Sequence, residues 1–257
     1  MLHPAKAYIK YLLASKNEHG IHSPFLFDLM TKGMRTHTQI SFERVKKMRS
    51  ELLRDHQMVQ VTDFGAGSKV MNQRERRVSD IARKAGISYK KGKLLAGFTQ
   101  YFNPGNILEI GTSLGISTAF LASGAPQSRI ITLEGCPIVS EIAKSKFRKF
   151  EFDNIELVNG PFEQTLASVL QDQVFDLIFI DGNHRKEPTI DYFEKCLSAT
   201  NENSVLIFDD IHWTSDMEAA WEYIKNHSSV TLSIDSFKWG IVFFHLGRVR
   251  QHVTLRI

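Results

Sequence analysis

Five acids in this chain stand where short apolar runs end. They are Glu109 within Ile107-Leu-Glu-Ile110, Glu134 closing Arg129-Ile-Ile-Thr-Leu-Glu134, Asp181 closing Phe175-Asp-Leu-Ile-Phe-Ile-Asp181, and Asp209 with Asp210 closing Leu206-Ile-Phe-Asp-Asp210. If the runs are parallel strands, all five carboxylates gather outside one rim of a sheet, which is where open α/β sheets bind ligands. Packing does not explain five like charges in one place. Their repulsion raises their pKa values or splays them apart unless cations compensate. A sulfonium or ammonium on an organic ligand would do so, and so would a hard divalent metal. His184, three residues after Asp181, adds an imidazole whose ordinary pKa of about 6.5 suits it to take a hydroxyl proton at neutral pH. A histidine beside a carboxylate is as often a hydrogen-bonded bystander, and both readings stand.

The turn after the first run narrows the ligand. Asn106-Ile-Leu-Glu-Ile-Gly-Thr-Ser-Leu-Gly-Ile-Ser-Thr118 is an apolar strand running through a glycine turn into a helix. Glu134 lies roughly 20 residues further on, where a carboxylate can take a ribose diol. Gly111 and Gly115 enclose Thr-Ser-Leu, which is neither GxGxxG nor GxxxxGK[ST]. A pyrophosphate cradle needs closely spaced glycines, and a P-loop needs its lysine. Here an acid, Glu109, precedes the turn, and an acid suits a cation. S-adenosylmethionine has no phosphate, carries a sulfonium and an α-ammonium and keeps the ribose diol, so Glu109, the open turn and Glu134 fit it together. The bland alternative is an ordinary βα turn.

Four motifs in order, Ile107-Leu-Glu-Ile-Gly-Thr-x-x-Gly-x-Ser117, Thr132-Leu-Glu134, Phe175-Asp-Leu-Ile-Phe-Ile-Asp-Gly182 and Leu206-Ile-Phe-Asp-Asp210, resemble those of class I methyltransferases. Within that superfamily the chain is similar to the catechol and caffeoyl-coenzyme A type O-methyltransferases over roughly residues 93 to 246. The resemblance implies that Asp181, Asp209 and Asp210 hold a divalent ion (Mg²⁺, Mn²⁺ or Ca²⁺), with Asp210 standing where the family commonly has asparagine. It places His184 where those enzymes have a lysine base, with Asp181 beside it. It also implies that Thr112, Ser113 and Ser117 face the methionine moiety, that Gly135 lies under the adenine and that Gly160-Pro-Phe-Glu163 meets the adenine edge. Phe162 and Glu163 depart from the family pattern there, Phe162 being able to stack on the base. Asn183 falls at an adenine-packing position. His212 has a weaker claim than His184 as a base, and Trp213 offers either an apolar wall or a core residue.

The elements that must position these residues follow from the pattern. A helix is expected at about 92–102 and strands near 106–110, 129–134, 155–159, 175–181 and 204–209, with helices in the gaps. Unbroken apolar runs such as Ile178-Phe-Ile180 are those of strands buried on both faces, and their alternation with helices implies parallel crossovers. Residues 230–237 and 240–245 flank Lys238-Trp239 and predict an antiparallel hairpin. The resemblance then implies an α/β fold: a three-layer α/β/α sandwich on a seven-stranded, mostly parallel Rossmann-like sheet ending in that hairpin.

Residues 1–91 are expected to form a basic helical cap on a cofactor domain of residues 92–257. Helical spacing covers 5–15 and 41–56, separated by Gly20-Ile-His-Ser-Pro-Phe-Leu-Phe27, where Phe25 and Phe27 next to Pro24 are expected to anchor the segment. Asp63-Phe-Gly-Ala-Gly-Ser68 imitates a glycine turn but is followed by a charged segment, so residues 61–73 read as a loop, with Arg74, Arg76 and Arg77 beside it. His19 and His22 lack a third ligand nearby.

The 42% hydrophobic content of 257 residues suffices for a large core. A net charge of +4 divides unevenly: residues 1–100 hold 19 Lys/Arg against 8 Asp/Glu, and residues 101–257 hold 13 against 20. Such asymmetry suits a basic cap docked on an acidic domain, or an RNA-binding arm, although no RNA-module signature is present. Cys136 and Cys196 lie far apart without metal-ligand spacing, so a reducing cytoplasm is expected. Neither an export signal nor a membrane span is read. The expected reaction is methyl transfer from S-adenosylmethionine to a small-molecule oxygen with metal help. Rivals are an RNA methyltransferase, a nicotinamide oxidoreductase disfavoured by the missing GxGxxG, and a non-catalytic adaptor. A homodimer through the cap is compatible with any of them.

Overall fold

A computed structural model describes residues 2–17, 20, 23–34, 40–62, 75–245 and 249–256. The N-terminal part comprises α1 (Leu2–Ala14), α2 (Pro24–Asp28) continued by a π-helical turn (Leu29–Gly33), α3 (Glu43–Arg54), a strand pair β1 (Met58–Gln60) and β2 (Glu75–Arg77), and α4 (Val78–Lys84). There follow α5 (Tyr89–Phe102), β3 (Asn106–Ile110), α6 (Ile116–Gly124), β4 (Arg129–Glu134), α7 (Pro137–Lys149), β5 (Ile155–Asn159), α8 (Phe162–Leu170), β6 (Leu177–Ile180), α9 (Lys186–Leu197) and β7 (Val205–Asp209). The chain ends with α10 (Ser215–Lys225), β8 (Leu232–Asp235), β9 (Trp239–Phe243) and β10 (Gln251–Thr254). Local chemistry sets several starts: the hydroxyls of Ser23, Ser88 and Thr214 accept backbone N–H groups at the first turns of α2, α5 and α10, as N-caps do.

The main sheet has the order β10-β8-β9-β7-β6-β3-β4-β5. Only β9 is antiparallel to its neighbours, β7 and β8. From β3 the chain adds β4 and β5 on one side, then returns to lay β6 and β7 on the other. The reversal leaves a crevice between the ends of β3 and β6, the switch point at which such sheets bind ligands. Period-two alternation divides the core. Ile107, Leu177, Phe179, Val205 and Ile207 join the layer of α3 to α7, while Leu108, Ile178, Ile180, Leu206 and Phe208 join that of α8 to α10.

Four expectations change. The sheet has eight strands rather than seven, because β10 pairs in parallel with β8; its residues, two exposed and two half-buried, carry no apolar alternation to betray it. The hairpin turn is Ser236–Lys238, and Trp239 already pairs with Asp209. Phe25 packs edge-on against Phe243, but Phe27 is 45% exposed and lies outside the core. The helix foreseen at 92–102 starts earlier, at Tyr89.

The N-terminal helices share a core with the sheet: Leu26, Met30, Val45, Met48 and Leu52 lie in one cluster with Leu95, Phe98 and Phe120. An ionic contact runs opposite to the expected basic cap on an acidic domain, since Glu51 of α3 pairs with Lys146 and Lys149 of α7. His19, His22, the 63–68 glycine segment and Arg74 lie outside the described residues. Among the described residues no helix is long and apolar enough to cross a membrane.

Candidate active site

The crevice is built around the turn after β3. Gly111 has φ of +110°, and a Cβ there would lie 2.4 Å from the carbonyl oxygen of Asp181. A side chain at this position would therefore force β3 and β6 apart where the ligand must enter. The next turn residue but one, Ser113, is left-handed at φ 50° and points its N–H at Glu134 Oε2, 2.8 Å away, while the Cys136 N–H donates to Oε1 at 2.8 Å. Two backbone donors thus fix the carboxylate at the end of β4.

A cavity opens here, lined by Gly111, Ser113, Glu134, Gly135, Phe162 and Asp181, all six anticipated, together with Glu163 and Asn183. Of the remaining wall only Arg76 stood out in the sequence, as a basic neighbour of the 61–73 loop. Val61, Thr62, Arg76, Ile81 and Ala85 close it from the N-terminal side, and Tyr192 from α9. Asn183 Nδ2 donates to the Tyr192 hydroxyl at 3.1 Å, and the Phe162 ring meets Tyr192 edge-on at 5.8 Å. Tyr192 carried a usable signal, an aromatic one helix beyond Asp181. The N-terminal wall, Arg76 apart, carried none.

Four anticipated cofactor residues do not line the cavity: Glu109, Thr112, Gly115 and Ser117. Glu109 is fully buried beneath the turn, its Oε2 accepting from Thr132 at 2.6 Å and from Thr118. Burial pushes its carboxyl up to about 7, against the hydroxyls of Ser117, Thr118 and Thr132, which favour the charged form. Thr112 turns inward to Thr132, with their hydroxyls 2.6 Å apart. Gly115 makes room for Phe147, whose ring would meet a Cβ at 2.4 Å. These residues shape the turn from below because β3 is buried on both faces.

At the rim, Asp181, Asp209 and Asp210 do converge, and a lysine sits among them. Lys91, in the first turn of α5, pairs with Asp209 Oδ1 in a short contact and lies 3.5 Å from Asp210 Oδ1. Burial alone would lower its pKa, but the charges of Asp209, Asp210 and Asp181 outweigh that and hold it above the ordinary value. The Asp181 carboxyl is pushed well up, by burial first and then by the charge of Asp209. The three carboxylates were expected to hold a divalent ion. They do not fit one as placed, because an ammonium already sits on Asp209 Oδ1 and a second cation at bonding distance would be repelled by it. Among the described residues no three acids, histidines or cysteines form a metal-holding group.

Backbone strain clusters at the same rim. Ser113, Asn183, His184, Asp210 and Phe237 all have positive φ without being glycine, a conformation that survives only where surroundings enforce it and that concentrates at functional sites. His184 Nε2 is 3.5 Å from Asp181 Oδ1, and its ring meets Trp213 edge-on at 5.4 Å. Trp213 is 40% exposed, which makes it a rim wall and not a core residue. His212 is engaged elsewhere, with Nε2 2.9 Å from Asp235 and its ring stacked on Phe237. Both cysteines are free and buried.

Residues 108–211 match the family model described as a methyltransferase domain. Over 137 residues the chain is 34% identical to a catechol O-methyltransferase of Mycobacterium tuberculosis, a match covering 52% of this chain and 61% of that one. The chain spans about six-tenths of the length of the first curated relatives it matches. An O-methyltransferase from Bacillus cereus, solved in complex with SAH, superposes with a TM-score of 0.54 at 26% identity, covering 62% of this chain and 82% of that one. The SAH-bound Podospora anserina methyltransferase PaMTH1 shares the fold at a TM-score of 0.62 and 17% identity, over 87% of this chain and 97% of that one. Residues 108–211 therefore form a methyltransferase domain, and the sheet around them has the Rossmann-like fold of class I S-adenosylmethionine-dependent methyltransferases, the chain resembling the catechol and caffeoyl-coenzyme A O-methyltransferases.

Proposed function

We propose that the chain binds S-adenosylmethionine in the switch-point crevice and transfers its methyl group to an oxygen of a small molecule, in a reducing cytoplasm. The observation that carries this is Glu134, held by the Ser113 and Cys136 N–H groups at the mouth of a cavity floored by Gly111. A carboxylate so fixed accepts the two hydroxyls of a ribose, and a turn without a pyrophosphate cradle suits a nucleoside lacking phosphate. The catechol O-methyltransferase and SAH-bound relatives support the same donor and an oxygen acceptor.

In this reading an acceptor hydroxyl lies at the rim against His184, with Trp213 beside it. Its oxygen lone pair forms the new bond to the methyl carbon as the sulfur–carbon pair returns to sulfur, leaving a neutral thioether. The hydroxyl proton passes to His184, whose ring Asp181 orients from 3.5 Å. Holding donor and acceptor in line supplies much of the acceleration. The cap, residues 1–91, contributes Val61, Thr62, Arg76 and Ile81 to the cofactor wall, which is therefore shared between the cap and the sheet. No step here runs through a metal.

Calorimetry with S-adenosylhomocysteine tests the reading: wild type is expected to bind in the micromolar range and Glu134→Ala at least about tenfold more weakly, through loss of the diol acceptor. No heat with wild type would end it.

A further inference from the structure

We propose that Lys91 is a built-in cation: its ammonium, delivered by α5, occupies the place among Asp181, Asp209 and Asp210 that a divalent ion would need, and makes the site independent of metal. The inference rests on the methyltransferase reading for what the site does, but its geometry stands alone. Lys91 contacts Asp209 Oδ1 directly and Asp210 Oδ1 at 3.5 Å, and its Nζ lies 5.7 Å from the Trp239 ring centroid. Its side chain is only 18% exposed, so the ammonium is an interior group and not a surface partner of passing anions.

The fold, rather than the lysine alone, sets this contact. Ser88 caps α5 three residues before Lys91, which fixes the register of the helix. At the next residue, Gly92, a Cβ would lie 2.2 Å from the Phe120 ring, so the absence of a side chain lets the first turn of α5 press against α6. The turn is thereby held at the depth of the strand ends. A cation in the first turn of a helix opposes the helix dipole, so the carboxylates must hold it there. Hard divalent ions need near-octahedral oxygen ligands at about 2.1 Å, or six to eight at slightly longer range, and an ion bound to Asp209 at that distance would sit against the Lys91 ammonium on Oδ1 and be repelled by it. The ammonium contacts Asp209, and the charges of Asp210 and Asp181 act on it as well. Lys91 is in this sense a positioning residue that keeps three acids together and the rim electrostatically balanced.

The test is a Mn²⁺ titration of the full chain saturated with S-adenosylhomocysteine, followed by electron paramagnetic resonance and calorimetry, on wild type, Lys91→Met and Lys91→Met with Asp209→Asn. Wild type is expected to show no specific Mn²⁺ binding up to about 1 mM, Lys91→Met to gain affinity at least about tenfold, and the double variant to lose that gain. Binding of Mn²⁺ to wild type in the micromolar range that depends on Asp209 would overturn the proposal, as would a folded Lys91→Met that gains nothing. Should Lys91→Met fail to fold by circular dichroism, the wild-type titration decides: micromolar binding overturns the proposal and none up to about 1 mM sustains it. Absence of S-adenosylhomocysteine heat in wild type would instead count against the methyltransferase reading, leaving the Mn²⁺ comparison valid.

Discussion

A Glu109→Gln variant should gain stability relative to wild type as pH rises. The carboxyl is fully buried and held up at about 7 from an ordinary 4.5. A raised carboxyl pKa means that the folded state prefers the proton. Its contribution is fully present below pH 4.5 and is lost as pH rises through 7. Above that the fold carries an ionised group under an apolar sheet, at a cost of about 3 kcal/mol relative to the solvated carboxylate. At pH 5.5 the same linkage gives a cost of only about 1 kcal/mol, since the folded carboxyl is still protonated. Glutamine keeps an oxygen for the hydroxyls of Thr118 and Thr132 and does not titrate. Whatever fixed offset the amide introduces, the stability difference between Glu109→Gln and wild type should therefore grow by about 2 kcal/mol from pH 5.5 to pH 8.5. Urea unfolding at the two pH values measures it, other titrating groups cancelling between the proteins provided the denaturant slopes agree. A difference that stays constant within about 0.5 kcal/mol would show that the buried carboxyl does not titrate as its surroundings require.

Two further substitutions probe the rim. Gly111→Ala places a methyl group 2.4 Å from the Asp181 carbonyl oxygen at a φ of +110°, so a loss of about 2–4 kcal/mol in unfolding free energy is expected; a variant with wild-type melting and S-adenosylhomocysteine affinity would refute the close approach. His184→Gln should lower kcat by about 100- to 10,000-fold on a phenolic acceptor while leaving the KM for S-adenosylmethionine unchanged. An unchanged kcat and pH profile would return His184 to the role of bystander.

What was legible in the sequence was local. Unbroken apolar runs such as Leu177–Ile180 mark strands covered on both faces, and the acid ending each run follows from the same reading, because strand order and chain direction put every strand end at one rim. Glu134 and the Gly111 turn lay in one continuous βαβ unit, so their spacing carried the cavity with it. Strand β10 escaped because an edge strand paired on one side needs no apolar alternation. Glu109, in the middle of a run, looked like a ligand residue on its charge alone; only the packing of α6 over β3 decided that it lies beneath the turn. Lys91 is the sharpest case. It is one of 19 basic residues among the first hundred, and nothing in its neighbourhood singles it out. Its partners are more than a hundred residues away in the chain, and the contact exists because Gly92 lets α5 settle against Phe120. Backbone pattern and turn chemistry are written residue by residue, whereas the side of a carboxylate that a cation occupies depends on which helix the tertiary fold brings against it.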